Sequence, residues 1–114
     1  AVARAISPDY ALGSHTASLG LLVTSASGLP APFGTGAFVA QHGSWNRRPA
    51  APPRVIFVPF ANGRPSGPPV DFVSGFQVGG KTMGRPVGVT VDPRGALIVA
   101  DDLSNTVWRV TPAR

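Results

Sequence analysis

Hydrophobic residues occur along the chain in short runs, and residues that favour turns separate one run from the next. Helical periodicity is nearly absent, and the short apolar runs are typical of strands in an all-β protein. The breaks contain turn residues, as in Ala61-Asn62-Gly63-Arg64 and Asp92-Pro93-Arg94-Gly95. Residues 1–18 give no clear prediction. Seven strands are predicted: Leu19–Thr24, Gly36–Gln41, Arg54–Phe60, Val70–Phe76, Val87–Val91, Ala96–Ala100 and Thr106–Thr111.

The second half of the chain repeats the pattern of the first half. Three pairs of segments match in the same order: Leu19–Val23 with Val87–Val91, Gly36–Ala40 with Gly95–Ala100, and Val55–Val58 with Val107–Val110. A four-stranded unit followed by three strands of another unit is the pattern of a β-propeller cut from a longer chain. We therefore expect an all-β fold, a β-propeller fragment of about two four-stranded blades.

The predicted organisation is a single partial domain over residues 1–114. One four-stranded blade is expected over residues 19–76 and three strands of the next blade over residues 87–111. Two blades cannot close a ring, so each open flank would expose an apolar sheet face. The chain is therefore expected to be a fragment of a larger propeller, or a short chain that closes by assembling with copies of itself.

Composition favours a folded chain over a disordered one. Of the 114 residues, 43% are hydrophobic and 13% are charged, a composition that favours folding. This evidence outweighs the high content of Gly (14) and Pro (13), which by itself would favour disorder. The absence of cysteine excludes disulfides, thiolate metal sites and cysteine nucleophiles. No apolar run approaches the roughly 20 residues of a membrane-spanning helix. The first ten residues lack the apolar core of a signal peptide, so any export signal is expected outside this sequence.

The net charge of +5 comes from nine Arg and one Lys against five Asp. Arginine suits bidentate recognition of carboxylate or phosphate groups. The cations are scattered, without a helical stripe and without aromatic residues interleaved between them, so nucleic-acid binding is not expected. A small anionic ligand fits this charge distribution.

Most of the chemically versatile residues are predicted to lie at one end of the sheets, because loops of an antiparallel meander alternate between its two ends. Four segments share that end: Ser14–Thr16, His42–Arg48, Lys81–Arg85 and Asp101–Asn105. We call this end the rim. The loop from His42 to Arg47 combines an imidazole, an indole, an amide and a guanidinium, which together offer a titratable group, a stacking face and several donors. The rim is therefore the candidate ligand site.

Several rim residues also have purely structural interpretations. Asp101 and Asp102 are adjacent, which does not fit the paired carboxylates of a glycosidase, and with Asn105 they predict an Asx-type turn. His15 is expected to cap a turn. The two His and five Asp give no recognised metal-ligand spacing. In the last strand, Trp108 is expected to pack and Arg109 to be a solvated edge cation.

An ordered set of segments resembles a known family. The set comprises His42–Arg47, Val55–Phe60 with Asn62-Gly63, Asp71–Phe76, Gly84–Val89, Gly95–Asp102 and Val107–Val110. Together they resemble the C-terminal part of sorbosone dehydrogenase-like proteins, which belong with the soluble glucose/sorbosone dehydrogenases. Those proteins are six-bladed propellers that use pyrroloquinoline quinone (PQQ). The resemblance runs from about Tyr10 onward.

The resemblance implies a quinoprotein that oxidises an aldose or a sugar aldehyde such as sorbosone. Arg85 matches a cofactor-binding arginine of the family, and His42, Trp45, Asn46 and Arg47 are expected to face the cofactor or substrate cavity. The implied cofactor is PQQ, and the family context allows calcium beside it. The catalytic histidine of the family lies in an N-terminal half that this chain does not contain, so no catalytic residue is assigned. A periplasmic or secreted location follows from the family alone.

Two other functions stay open from the sequence. The related glucose dehydrogenases have a second arginine where this chain has Val87, and a lysine in the loop that His42–Arg47 occupies here. A non-catalytic binding module that kept the scaffold and lost the cofactor is therefore the first alternative. The second is a lectin-like ring in which three two-blade copies assemble. Nucleic-acid binding ranks last.

Overall fold

The computed structural model describes residues 4–25, 27–44 and 49–113. The first sheet is antiparallel and follows the order of the chain. Its strands are β1 (Ser18–Thr24), β2 (Gly36–Gln41), β3 (Arg54–Ala61), β4 (Arg64–Pro65) and β5 (Val70–Val73). Strand β4 pairs with the end of β3, and β5 pairs with its beginning. Strands β1 to β4 thus pair with their neighbours in the chain, as the turn-rich connections predict, and β5 returns to pair with β3.

The second sheet is a three-stranded antiparallel meander, and a small hairpin precedes it. The hairpin consists of β6 (Gln77–Val78) and β7 (Lys81–Thr82), and the sheet consists of β8 (Pro86–Val91), β9 (Leu97–Asp101) and β10 (Thr106–Val110). The described residues thus form an all-β, β-propeller-like arrangement, while the number of blades stays a prediction.

The predicted strands differ from the observed ones in one substantial place. Strand β2 has the predicted bounds, and the other strands are within one residue of them at each end, except the predicted strand Val70–Phe76. That strand ends at Val73, because Gly75 adopts a left-handed backbone conformation with φ 86°. The chain then turns into the β6–β7 hairpin, which the sequence analysis missed together with β4.

The core lies between facing sides of the two sheets. Side chains of alternate residues on a strand share a face, so Val55 and Phe57 of β3 point the same way, as do Leu97 and Val99 of β9. All four are fully buried. They belong to one hydrophobic cluster with Phe38, and the rings of Phe38 and Phe57 lie 4.8 Å apart.

Strand β1 of the first sheet lies against β8 of the second. Gly20 in β1 makes this approach possible, because a Cβ at that position would collide with the carbonyl oxygen of Val87. On the other side of β1, the edge strand of the first sheet, Leu19, Leu21 and Val23 are each at least 60% exposed. That this side of β1 is an open flank between blades stays a prediction.

Candidate functional site

The rim forms at the end of β2, the start of β8 and the end of β9, and hydrogen bonds join residues from both sheets there. His42 follows β2, Arg85 precedes β8, and Asp102 follows β9. The alternation of loops between the two ends of a meander therefore placed these segments correctly. Side-chain hydrogen bonds between the sheets make the rim a continuous polar surface.

His42 is held from three directions. Its backbone N–H donates to the carbonyl oxygen of Ala17 at 2.9 Å, which ties the loop after β2 to the segment before β1. Its carbonyl oxygen accepts a hydrogen bond from Nη1 of Arg85 at 2.6 Å. Its ring Nε2 lies 2.8 Å from Oδ1 of Asp102. The imidazole is partly exposed, with 27% of the side chain accessible, so it is oriented by protein contacts and still open to a ligand.

Arg85 is half-buried, and both its backbone and its side chain contribute to the rim. Its backbone N–H donates to Oδ1 of Asp101 at 2.9 Å. The preceding Gly84 is buried, and a Cβ there would collide with Oδ2 of Asp101 and lie 2.8 Å from the ring of Phe76. A guanidinium has five N–H donors, and the described residues use one of them, on His42. Within the described residues, its other donors have no hydrogen-bond partner.

Asp101 organises the turn between β9 and β10. It is 4% exposed, and its Oδ1 accepts hydrogen bonds from the backbone N–H groups of Arg85, Leu103 and Ser104, at 2.9, 3.1 and 3.1 Å. Its Oδ2 accepts from Nε1 of Trp108 at 3.1 Å. Desolvation by burial would raise the pKa of this carboxyl, but these hydrogen bonds outweigh it and hold the pKa far below its ordinary value. The predicted Asx-type turn is confirmed, with Asp101 as its ionised acceptor.

The sequence interpretation of the last strand is wrong in part. Trp108 was expected to pack, but its side chain is 45% exposed and its indole N–H binds Asp101. Arg109 is exposed on β10, an edge strand of its sheet, as predicted for a solvated edge cation, and its Nε donates to Oδ2 of Asp92 at 3.1 Å within the same sheet. Arg109 therefore belongs to the opposite end of the sheet.

A cavity of about 520 Å³ lies beside the rim, between the segment after β5 and the face of β10. Its walls are mainly apolar and include Val73, Phe76, Met83, Trp108 and Val110, with Asp101 at one side. This volume is within the range of small-molecule sites. Asp101 thus lies between the Arg85 backbone and the cavity, which sequence analysis could not show because the cavity arises from packing of the two sheets.

Three of the predicted cofactor-facing residues, Trp45, Asn46 and Arg47, lie outside the described residues. Their predicted role stays a prediction, as do the roles of His42 and Arg85 toward a cofactor. His15 is exposed and has a left-handed backbone with φ 57°, as expected of a turn residue. Lys81 lies exposed on β7.

Metal-ligating side chains do not cluster in the described part of the chain: no group of three or more His, Asp or Glu residues could hold an ion there. The same residues include no helix long and apolar enough to span a membrane.

The sequence profile of the TrAA12-like family matches residues 2–113. The chain belongs to the TrAA12-like family. It is also similar to a solved structure, the holo form of the pyranose dehydrogenase PQQ domain from Coprinopsis cinerea, with 30% identity and a TM-score of 0.72. The match covers 93% of this chain and 29% of that one.

Among curated proteins, the chain is 29% identical over 103 residues to an uncharacterised protein of Borreliella burgdorferi strain B31. That match covers 89% of this chain and 27% of the relative. This TrAA12-like chain therefore spans less than a third of the length of each relative. The family match and the structural likeness confirm a PQQ-quinoprotein-like domain with a β-propeller-like fold, which is the coarser part of what the sequence predicted.

Proposed function

We propose that this chain forms part of the cofactor and substrate cavity of a PQQ-dependent sugar dehydrogenase, with an aldose or sorbosone-like sugar aldehyde as the substrate class. The observation that carries the proposal is the half-buried guanidinium of Arg85, which is fixed by His42 and keeps donors available at the rim. The likeness to a holo PQQ domain supports the same conclusion.

The donor set at the rim fits this cofactor. PQQ carries carboxylates, and arginine binds carboxylates with paired, directional hydrogen bonds. The chain has a net charge of +5, which favours an anionic ligand over long range. Arg85 would bind a carboxylate, and His42 would contact the cofactor or the sugar. Trp45, Asn46 and Arg47 are proposed to complete this part of the cavity by stacking and hydrogen bonding.

When bound, PQQ supplies the electron acceptor for oxidation of the sugar. The proposed contribution of this chain is binding and orientation, and we assign it no catalytic base. We propose no calcium ligand among its described residues. The chain with added PQQ is therefore expected to oxidise no sugar, and measurable oxidation would contradict this division of roles.

The proposed partners are further propeller blades or copies of this chain. They would cover the exposed face of β1, where Leu19, Leu21 and Val23 lie open. A hydrophobic face of this kind is covered in stacked-repeat architectures. The proposed location is periplasmic or extracellular, on the basis of the family resemblance.

Equilibrium titration with PQQ tests the proposal through a matched pair of variants. Arg85→Ala and Arg64→Ala each remove one positive charge, so they affect long-range attraction equally. Arg64 is 82% exposed and lies after β3, away from the rim. We expect Arg85→Ala to weaken PQQ binding about tenfold or more, since hydrogen bonds between charged groups contribute about 1.5–3 kcal/mol each, and Arg64→Ala to leave it nearly unchanged. Equal weakening by both variants would contradict a specific site, and no binding to the unaltered chain would favour a non-catalytic module.

A further inference from the structure

The two consecutive aspartates at the end of β9 have different environments. Asp101 is buried and closes its own turn. Asp102 is exposed over 61% of its side chain, and nothing in the turn requires its carboxylate. Its Oδ1 instead reaches the ring of His42, 60 residues earlier in the chain and in the loop of the other sheet, at 2.8 Å.

The chemistry of this contact fixes which ring nitrogen carries the hydrogen. An ionised carboxylate accepts hydrogen bonds and cannot donate one, so Nε2 of His42 is the donor. In the neutral ring the other nitrogen, Nδ1, is then an acceptor. The backbone N–H and carbonyl of His42 already bind Ala17 and Arg85. Within the described residues, Nδ1 is the one polar atom of His42 without a partner.

We propose that Asp102 is a positioning residue for the candidate site: by accepting from Nε2–H it holds the His42 ring in one tautomer and leaves Nδ1 to accept a hydrogen bond from an N–H or O–H group of the ligand. This inference rests on the proposed function of the rim. Carboxylates orient functional histidines by the same type of contact. Arg85 would bind the anionic part of the ligand and His42 would bind a hydrogen-bond donor, so the two residues would recognise different groups of the ligand.

The first measurement is the position of the ring hydrogen of His42, by long-range proton–nitrogen NMR of the unliganded chain at alkaline pH. The unaltered chain should show the hydrogen on Nε2. Asp102→Ala should give mixed tautomers, and Asp102→Glu should restore the Nε2–H form because it keeps the carboxylate at an exposed position. Asp71→Ala is the matched control, since Asp71 is also an exposed aspartate in an ion pair, with Arg54 at 2.9 Å. Mixed tautomers in the unaltered chain, or no change in Asp102→Ala, would overturn the inference.

The second measurement is binding of PQQ and, separately, of sorbosone to the same variants. For the ligand that donates to Nδ1, Asp102→Ala should weaken binding about tenfold, and Asp102→Glu should recover most of that loss. Asp71→Ala should change the affinity for neither ligand. The ligand that responds identifies the donor. If Asp102→Ala weakens neither ligand although the unaltered chain binds them, the inference is overturned and the proposed function stands. If the unaltered chain binds neither ligand, the proposed function fails, and the ring spectra alone decide whether Asp102 positions His42.

Discussion

The two ends of the paired sheets are joined by different means. At the rim, side chains cross between the sheets, from Arg85 to the carbonyl of His42 and from His42 to Asp102. At the opposite end, the connection is made by backbone, where the N–H of Gly28 donates to the carbonyl oxygen of Gly95 at 3.1 Å. The backbone junction uses no side chain, whereas the side-chain junction brings an imidazole, a guanidinium and a carboxylate together. Function is therefore expected at the rim and stability at the opposite end.

Two aspartates make the same distinction within one sheet. Asp92, at the end opposite the rim, accepts hydrogen bonds from the backbone N–H groups of Ala96 and Arg94 and from the side chain of Arg109. Asp101 closes the next turn in a similar way. The turn at Asp92 is complete with that one carboxylate, but the rim turn adds Asp102, which reaches the other sheet. The carboxylate of Asp102 thus makes a contact beyond its own turn, on a loop of the kind that carries ligand sites.

The largest expected effect is at the backbone junction. In Gly95→Ala, the new Cβ would lie 2.6 Å from Cα and N of Gly28, and the residue would have to keep φ 89°. We expect the free energy of unfolding to fall by about 2–4 kcal/mol, from steric overlap and backbone strain together. Chemical denaturation measures it. Gly34→Ala is the control, because a Cβ there meets nothing within 4 Å.

Binding of PQQ to Gly95→Ala, measured under conditions where the variant is folded, tests whether the two ends of the sheets have separate roles. Its affinity for PQQ should match that of the unaltered chain, since the substitution lies far from the rim. A stability equal to that of Gly34→Ala, or a selective loss of PQQ binding, would contradict the assignment of this end to stability.

A smaller effect is expected from Asp101→Ala. The substitution leaves the backbone N–H groups of Arg85, Leu103 and Ser104 without their acceptor, and also frees the indole N–H of Trp108. We expect a loss of about 2–3 kcal/mol in the free energy of unfolding, the usual cost of unsatisfied buried polar groups after partial access of water. Thermal or denaturant unfolding gives the value. Asp71→Ala, at an exposed ion pair, should cost under about 1 kcal/mol, and equal losses for the two variants would contradict the structural role of Asp101.

The smallest expected effect is the response to acid. Hydrogen bonds lower the pKa of Asp92, those from Ala96 and Arg109 foremost, and the pKa of Asp101 is lowered despite its burial. A carboxyl whose pKa is lower in the folded state stabilises the fold at pH values above its ordinary pKa of 3.8. This contribution is lost as the pH falls from 3.8 through the lower folded-state pKa. The free energy of unfolding should therefore be nearly constant from neutral pH to about pH 5 and decline below about pH 4. Asp101→Ala should show a shallower decline, and an acid limb unchanged in that variant would contradict the argument.

The sequence predicts the strands better than the contacts between them. Strand β2 follows from an apolar run between turn residues, and the rim follows from the alternation of loops in a meander. The early end of β5 was missed because Gly75 breaks an otherwise strand-like segment. The His42–Asp102 contact could not be predicted, because it depends on how two sheets dock across 60 residues of chain. The hydrophobicity of Trp108 predicts a core position, but its exposure depends on which elements pack against β10.

The most direct test of the account is to map PQQ on the isotopically labelled chain by NMR chemical-shift changes during titration. The account predicts that the largest shifts occur at His42, Arg85 and Asp102, and that Gly28, Asp92 and Gly95 at the opposite end do not respond. Shifts confined to the apolar cavity near Met83 and Val110, or spread evenly over the exposed arginines, would contradict the claim that the rim is the ligand site.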